Sequence, residues 1–342
     1  MPGAQKMTGG PFVSPQIALL TISVLKDKGI SEASFFERLP FEKDKLYGEN
    51  ARITFQEMFE VFETAVDLSQ TPWLGLDVGR AETVRSWGAL GYAIMSCASE
   101  IEAAALGSRY NRAAPSLLHT RTQVVGDRLR LQLDPIYPLG RLLVFCIEEN
   151  ISGICTVSSE YLNEPMVPLE ISVTYPKPDH SAHYDEAFGC PVLYDQPMNV
   201  FWTRAPSDQP LRTTDPAVAK VCLDLVEDIV AQNEGEDGFL SDMRRMLLKT
   251  PGRLPGMEDI AAELAMSSRT LRRRLLDLGT SFRQLQDEVR RDVAVDYLKN
   301  TDLQVDQIAH LLGYSETTNF RRAFKQWTGQ PPRTYRNQSH PF

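Results

Sequence analysis

A stretch from Ile260 to Leu278, IAAELAMSSRTLRRRLLDL, returns in altered form as IAHLLGYSETTNFRRAFKQW, Ile308 to Trp327. Each copy opens with Ile-Ala, soon reaches a Leu, and breaks at a short turn, Ala265-Met266 in the first and Gly313 in the second. A small hydroxyl residue follows, Ser267 or Ser315. Its oxygen suits the start of a helix, where backbone N–H groups lack partners. Beyond the cap, Leu271, Leu275 and Leu278 fall at i, i+4, i+7 in the first copy. Phe320, Ala323, Phe324 and Trp327 make the corresponding stripe in the second. Stripes at this spacing bury one face of a helix. The repeated unit is therefore expected to fold as two helix-turn-helix motifs, each presenting its second helix to a DNA major groove.

The face opposite each stripe carries the candidate chemistry. Arg269, Arg272 and Arg273 lie there in the first copy; Thr317, Thr318, Arg321 and Arg322 lie toward the free N-terminal half in the second. Arg bonds guanine O6 and N7 bidentately, and Thr reaches base edges or the thymine methyl. The competing reading is a solvated helix face, which two matching copies with matching turns argue against. Charge supports the DNA reading. Residues 238–338 hold 17 Lys/Arg and 12 Asp/Glu, whereas the remainder holds 19 and 33, so a basic end (+5) joins an acidic bulk (−14). Only the C-terminal part is suited to meet phosphate.

Residues 238–338 resemble the DNA-binding domain of the AraC/XylS family of bacterial transcription regulators. The resemblance rests on DIAAELAMSSRTLRRRL, RDVAVDYL from Arg290, and QIAHLLGYSETTNFRRAFKQWTGQPPRTYR. The last run is the most specific, through Gly313-Tyr314, Phe320, Arg322-Ala323-Phe324, Gly329, Pro332 and Tyr335-Arg336. It implies base contacts at the seven positions named above. Gln304 departs from the pattern, standing where the family has a capping Ser or Thr. Between the motifs, Phe282 to Lys299 reads as one linker helix of roughly 27 Å. That is on the scale of a ~34 Å DNA turn, so the two reading helices can enter successive major grooves.

A chain of 342 residues is too long for one ordinary core. Residues 1–13 read as a disordered lead-in, 14–212 as a regulatory domain, 213–237 as a helix and hinge, and 238–338 as the DNA-binding domain. The regulatory domain is expected to be α+β, with helices first and a small antiparallel sheet after, and the C-terminal domain all-α. Helices are expected over Pro15–Lys28, from Ser31, from Thr54, from Ser99 toward Tyr110, and over Leu139–Val157. Gly75, Gly79, Gly88 and Gly91 follow no phosphate-cradling spacing and suit tight turns and close packing. A hairpin turns at Gly126-Asp127, with Leu129, Leu131 and Leu133 inward and Arg128, Arg130 and Gln132 outward. Further strands are expected at LEISVTY and NVFWTR. In the helix after Asp215-Pro216, Val218, Cys222, Leu225 and Ile229 form a short seam, either a dimer contact or a face packed on its own domain. NEGEDG, from Asn233, is the expected joint.

The segments LGLDVGR, GALGYAIMSCASEIEAA and ISVTYPKPDHSAHYDEAFGCPVLYDQPMNVFW are similar to the N-terminal "arabinose-binding-like" domain of one AraC branch. The resemblance implies a ligand-binding domain without naming its ligand. Trp87 and Tyr92 are the candidate pocket residues.

Other classes fall away. There is no GxSxG or HExxH, and His180 and His183 lack further ligands at metal-site spacing. No run of about 18 apolar residues suggests a span. Five scattered cysteines fit a reduced, cytoplasmic protein. The expectation is a sequence-specific DNA-binding regulator, not an enzyme, without cofactor or metal. Its expected partners are operator DNA, a small-molecule effector, a second copy of itself and RNA polymerase, and family habit points to activation. The alternative is a ligand-independent repressor or architectural protein whose N-terminal domain only dimerises or binds a protein.

Overall fold

The computed structural model describes residues 12–48, 51–111, 116–136, 139–233, 239–240, 243–244, 246–247, 255–300 and 303–339. The chain divides into two compact units, the first made of residues 1–136 and 142–234 and the second of residues 137–141 and 235–342.

The first unit opens with a two-stranded ladder, β1 (Phe12–Val13) on β2 (Ile53–Thr54), enclosing α1 (Gln16–Asp27), α2 (Glu32–Phe36) and α3 (Asp44–Tyr47). Residues 12 and 13, expected within the lead-in, are thus paired strand; the rest of the lead-in lies outside the described residues. Ser31 caps α2, its Oγ accepting from Ser34 N at 3.2 Å. α4 (Phe55–Ser69) starts at a reciprocal capping box. Thr54 Oγ1 accepts from Glu57 N at 3.2 Å, and the Glu57 carboxylate accepts from Thr54 N at 2.9 Å.

The glycine-punctuated stretch proves to be largely helical. It forms α5 (Leu74–Arg80), a 3-10 turn (Val84–Trp87), α6 (Gly88–Met95) and α7 (Glu100–Arg109), the last capped by Ser99. The reason lies in α8 (Leu142–Leu162), against which α5 packs. Gly75 and Gly79, one turn apart, face it together. A methyl group on Gly75 would strike the Phe145 carbonyl, and one on Gly79 would lie 2.5 Å from the Glu149 carbonyl and 2.6 Å from Ser152 Cβ. The two backbones meet where side chains would hold them apart. By length and composition α8 could cross a membrane, but it is a core helix: Phe145, Ile147, Ile151 and Val157 are buried within the unit.

The main sheet has the order β3-β4-β7-β5-β6. β3 (Leu118–Val125) and β4 (Arg128–Pro135) form the expected hairpin, and β7 (Val200–Arg204) extends it. Leu131 and Leu133 are buried, but so is Gln132, held by Arg130 Nη2 at 2.8 Å and by Asp134 Oδ1 at 2.7 Å. The sheet is mixed rather than antiparallel throughout, because β5 (Glu170–Ser172) and β6 (Val192–Leu193) run parallel. Parallel neighbours need a crossover, and α9 (Ala182–Phe188) supplies it within a segment whose Pro and Gly suggested only loop. Arg204 ties β7 to α7 with a two-pronged bond to Glu100, at 2.7 and 2.9 Å. The guanidinium holds the Glu100 carboxyl down at about 2.

α10 (Pro216–Asn233) closes the unit. Asp215 Oδ1 accepts from Ala217 N at 3.0 Å and Val218 N at 3.1 Å, capping it. Leu223, Val226 and Val230 pack inward onto the α6–α7 cluster, whereas Val218, Val221 and Leu225 are exposed. The expected hinge, beyond Asn233, lies outside the described residues.

The second unit is helical: α11 (Met257–Glu263), α12 (Ser268–Asp277), α13 (Phe282–Asn300), α14 (Val305–Leu311), α15 (Thr317–Thr328) and α16 (Pro332–Ser339). Phe239, Met243, Met246 and Leu247, which precede α11, are buried in the unit's core.

The α5–α8 contact makes a testable demand. Gly79→Ala should cost about 1–3 kcal/mol through overpacking. Gly107→Ala in α7, whose methyl would only touch Ile94 Cδ1 at 3.5 Å, should gain roughly 0.5–1 kcal/mol from helix propensity. Urea midpoints of the two full-length variants give the comparison.

Candidate functional site

The second unit builds two small cores on one helix. Phe282, Leu285 and Val289 of α13 enter a core with Ile260, Ala261, Leu271 and Leu275. Ala294 and Leu298 of the same helix enter another with Ile308, Leu312, Phe320 and Phe324. Val293 touches both. Nineteen residues make α13, roughly 28 Å at 1.5 Å per residue. Arg336 fastens its far end, Nε donating to Leu298 O at 3.1 Å and Nη2 to Leu303 O at 2.6 Å. Carbonyls at a helix C-terminus lack intrahelical donors, and an Arg there satisfies them.

The turns of the two motifs share one geometry. Met266 N bonds Ala261 O, and Tyr314 N bonds Ala309 O, both at 2.9 Å. These six-to-one bonds are Schellman closures, with Ala265 (φ 52) and Gly313 (φ 79) in the left-handed position. The second motif holds glycine where the conformation favours it, while the first bears it on an alanine. Ser267 caps α12, accepting from Thr270 N at 3.1 Å. Ser315 does not cap α15. The capping position is Glu316, whose side chain makes no cap bond. The cause is one extra residue: five positions separate Met266 from buried Leu271, but six separate Tyr314 from buried Phe320. At α14, the Gln304 side chain makes no cap bond, but Gln307 Oε1 accepts from Gln304 N at 2.7 Å. Half a capping box thus stands in for the missing hydroxyl.

Around the buried Leu271 and Leu275, the side chains of Arg269, Arg272 and Arg273 are exposed on α12. On α15, Thr318, Arg321 and Arg322 are exposed and Thr317 is half-buried. Arg274 is different: its guanidinium lies 4.0 Å from the Phe239 ring centroid and braces the first core. Two residues escaped the sequence reading. Leu276, 63% exposed, continues the stripe of Arg269, Arg272 and Arg273, and exposed Lys325 occupies the same place relative to Arg321 and Arg322. Helical spacing of three or four from the named arginines was the available signal. Nearby, burial pushes the Tyr314 phenol up, and Arg290 stands 5.4 Å from its ring centroid.

The first unit holds a cavity of about 140 Å³ walled by α6, α7, α8 and the β3–β4 hairpin. Trp87 lines it; Tyr92, 40% exposed, is not among the lining residues. Leu90, Ile94 and Ala103 line the cavity and also belong to the cluster that receives Val226 of α10.

Residues 29–207 match the family described as the arabinose-binding domain of AraC transcription regulators, N-terminal, and residues 260–338 match a helix-turn-helix domain. The ornithine utilization regulator of Pseudomonas aeruginosa is 32% identical over 318 residues, covering 92% of this chain and 93% of that protein. An HTH-type transcriptional regulator of Mycobacterium tuberculosis is 29% identical, covering 91% and 92%. Among solved structures, the regulator CdpR of Pseudomonas aeruginosa aligns over 93% of this chain and 97% of its own, at 22% identity and a TM-score of 0.46.

Neighbouring arginines in α12 should separate by role. Arg274→Ala, losing the stack on Phe239, should lower thermal stability measurably while leaving sequence preference on DNA unchanged. Arg269→Ala should leave stability within about 0.5 kcal/mol and weaken DNA binding. Thermal unfolding and competition binding on the same two variants decide.

Proposed function

The chain belongs to the AraC/XylS family of DNA-binding transcription regulators, and from that premise we propose that each protomer reads two half-elements on one side of the duplex. The observation that carries this reading is α13, a single helix shared by both motif cores. In this reading Arg269, Arg272 and Arg273 meet bases of one half-element. Thr317, Thr318, Arg321 and Arg322 meet those of the other. Leu276 suits a thymine methyl and Lys325 a phosphate.

The N-terminal unit is the control domain. A small metabolite enters the cavity beside Trp87, and occupancy shifts the chain between arrangements with different DNA affinity or different access for RNA polymerase. The Pseudomonas relative is named for ornithine utilization, and a regulator of a neighbouring catabolic operon, acting in the cytoplasm as an activator, is the role carried over. Dimerisation uses α10. Val218, Val221 and Leu225 form an exposed apolar stripe on the face opposite Val226, and a second copy of the helix covers it in an isologous pair. The chain thereby has a linker helix between its sensing and reading parts that also sets their stoichiometry.

The test is footprinting of the full-length protein on the DNA upstream of its own gene. Two protected patches about one turn apart per protomer are expected. Arg273→Ala and Arg322→Ala should each cost about 1–3 kcal/mol, with base preference relaxed in one patch only. Equal losses on random DNA would make them phosphate contacts. For the dimer, Val221→Lys with Leu225→Lys should yield a monomer by light scattering with the unfolding midpoint little changed. A variant that remains dimeric excludes α10 as the contact.

A further inference from the structure

The cavity in the first unit brings two buried carboxyl groups together with no cation among its described lining residues. Glu82, 4% exposed, and Glu149, 5% exposed, both line it. Glu82 Oε2 accepts from Trp87 Nε1 at 2.6 Å, but Glu82 Oε1 has no hydrogen-bond partner. That oxygen lies over Gly153 of α8, where any side chain would displace it. The Asn150 carbonyl oxygen, on the same wall, also lacks a donor; its amide nitrogen donates to Ser116 Oγ at 3.1 Å. Among the described residues that line the cavity there is no Lys, Arg or His.

Burial of these acceptors is costly unless something donates to them. Burial pushes the Glu82 carboxyl up to about 7 and Glu149 well above the usual carboxylate range, so the empty pair shares a proton. Two further lining residues, Trp87 and Tyr161, bring aromatic rings to the same space, and such rings attract a cation held over their faces. A volume near 140 Å³ resembles that of cavities that hold a benzene-sized molecule.

Resting on the reading of this cavity as the effector pocket, we infer that its ligand is a small organic amine, bound as an ammonium ion by Glu82, Glu149 and the Asn150 carbonyl oxygen. The ammonium supplies the positive charge that the described lining lacks, and brings N–H donors to Glu82 Oε1 and the Asn150 carbonyl oxygen, which have none. On binding, the proton shared by the carboxyl groups leaves to solvent, and the ligand's charge replaces it. The alkyl body of the ligand lies among Leu90, Ile94 and Leu131.

The experiment uses the full chain and two probes of one shape, n-pentylamine and 1-pentanol, in thermal-shift and calorimetric titrations at neutral pH. The amine should raise Tm in a concentration-dependent way and 1-pentanol should not. Glu149→Gln, which removes a buried acid without changing its shape, should fold with unchanged or raised Tm and bind the amine at least about tenfold more weakly. Asn150→Leu gives a second variant, with a smaller loss expected. Equal binding of both probes, no response to the amine, an undiminished response in both variants, or a shift produced by magnesium chloride in its place would each overturn the inference. Footprinting the same preparations separates the two levels. Protection that persists in an amine-blind chain retires the amine and leaves the regulator intact, whereas wild-type protein without a footprint retires the DNA reading itself.

Discussion

The C-terminal unit depends on one helix being a wall of two cores at once. α13 gives Leu285 and Val289 to one core and Ala294 and Leu298 to the other, with Val293 between them. Neither motif carries enough apolar surface to stand far from this helix, since α12 buries two leucines and α15 two phenylalanines. The separation and angular phase of the two reading helices are therefore properties of α13. At about 1.5 Å and about 100° per residue, inserting one residue in its middle would turn one motif well away from the groove the other occupies. Arg336 completes the arrangement by donating to the Leu298 carbonyl at the end of α13 and to the Leu303 carbonyl just beyond it. This gives a physical reason for an arginine late in the chain, beyond both reading helices.

In the N-terminal unit the corresponding constraint is the closeness of α5 and α8. Gly75 and Gly79 let the backbones touch, and this aligns the face of α8 that follows. Two adjacent acids on α8 then serve different neighbours. Glu148 accepts from Tyr184 Oη at 2.8 Å and bonds the His180 ring, while Glu149 meets Glu82 across the cavity wall. Burying acids in the middle of an apolar helix is destabilising unless each has a partner. Glu148 finds its partners within the fold through one oxygen, while its Oε2 has none; among the described residues, Glu149 faces another acid, Glu82.

The parts of this architecture that were readable in the sequence are those held by local rules. Capping at Thr54, Ser99, Asp215 and Ser267 followed from residue type, and the stripes through Leu271 and Phe320 followed from helical period. Misreadings arose where a distant partner decided the outcome. The α5 helix is hidden because Gly75 and Gly79 answer to α8 rather than to a turn, and α6 because Gly91 sits against the Val84 carbonyl of the 3-10 turn before it. The parallel β5–β6 pair depends on α9, a seven-residue helix in a Pro- and Gly-marked segment. Ser315 was one residue early because the second motif is one residue longer. Of the candidate site, the helical faces were legible, but the cavity was not. Glu82 and Glu149 are 67 positions apart, and in sequence each is one acid among 45 Asp and Glu. Their pairing exists only in three dimensions.

The cluster around Leu90, Ile94 and Ala103 has a consequence for how information enters the molecule. One side of it faces the cavity, and the other receives Val226 of α10, the helix whose outer stripe is bare. A shift in these three side chains is felt on both sides. On the proposed reading, binding inside and pairing outside are thermodynamically linked, and the linkage is reciprocal: whatever a ligand does for pairing, pairing does for the ligand. On that same reading the number of copies of the chain in a cell is a second signal, since abundance shifts how much effector a response needs.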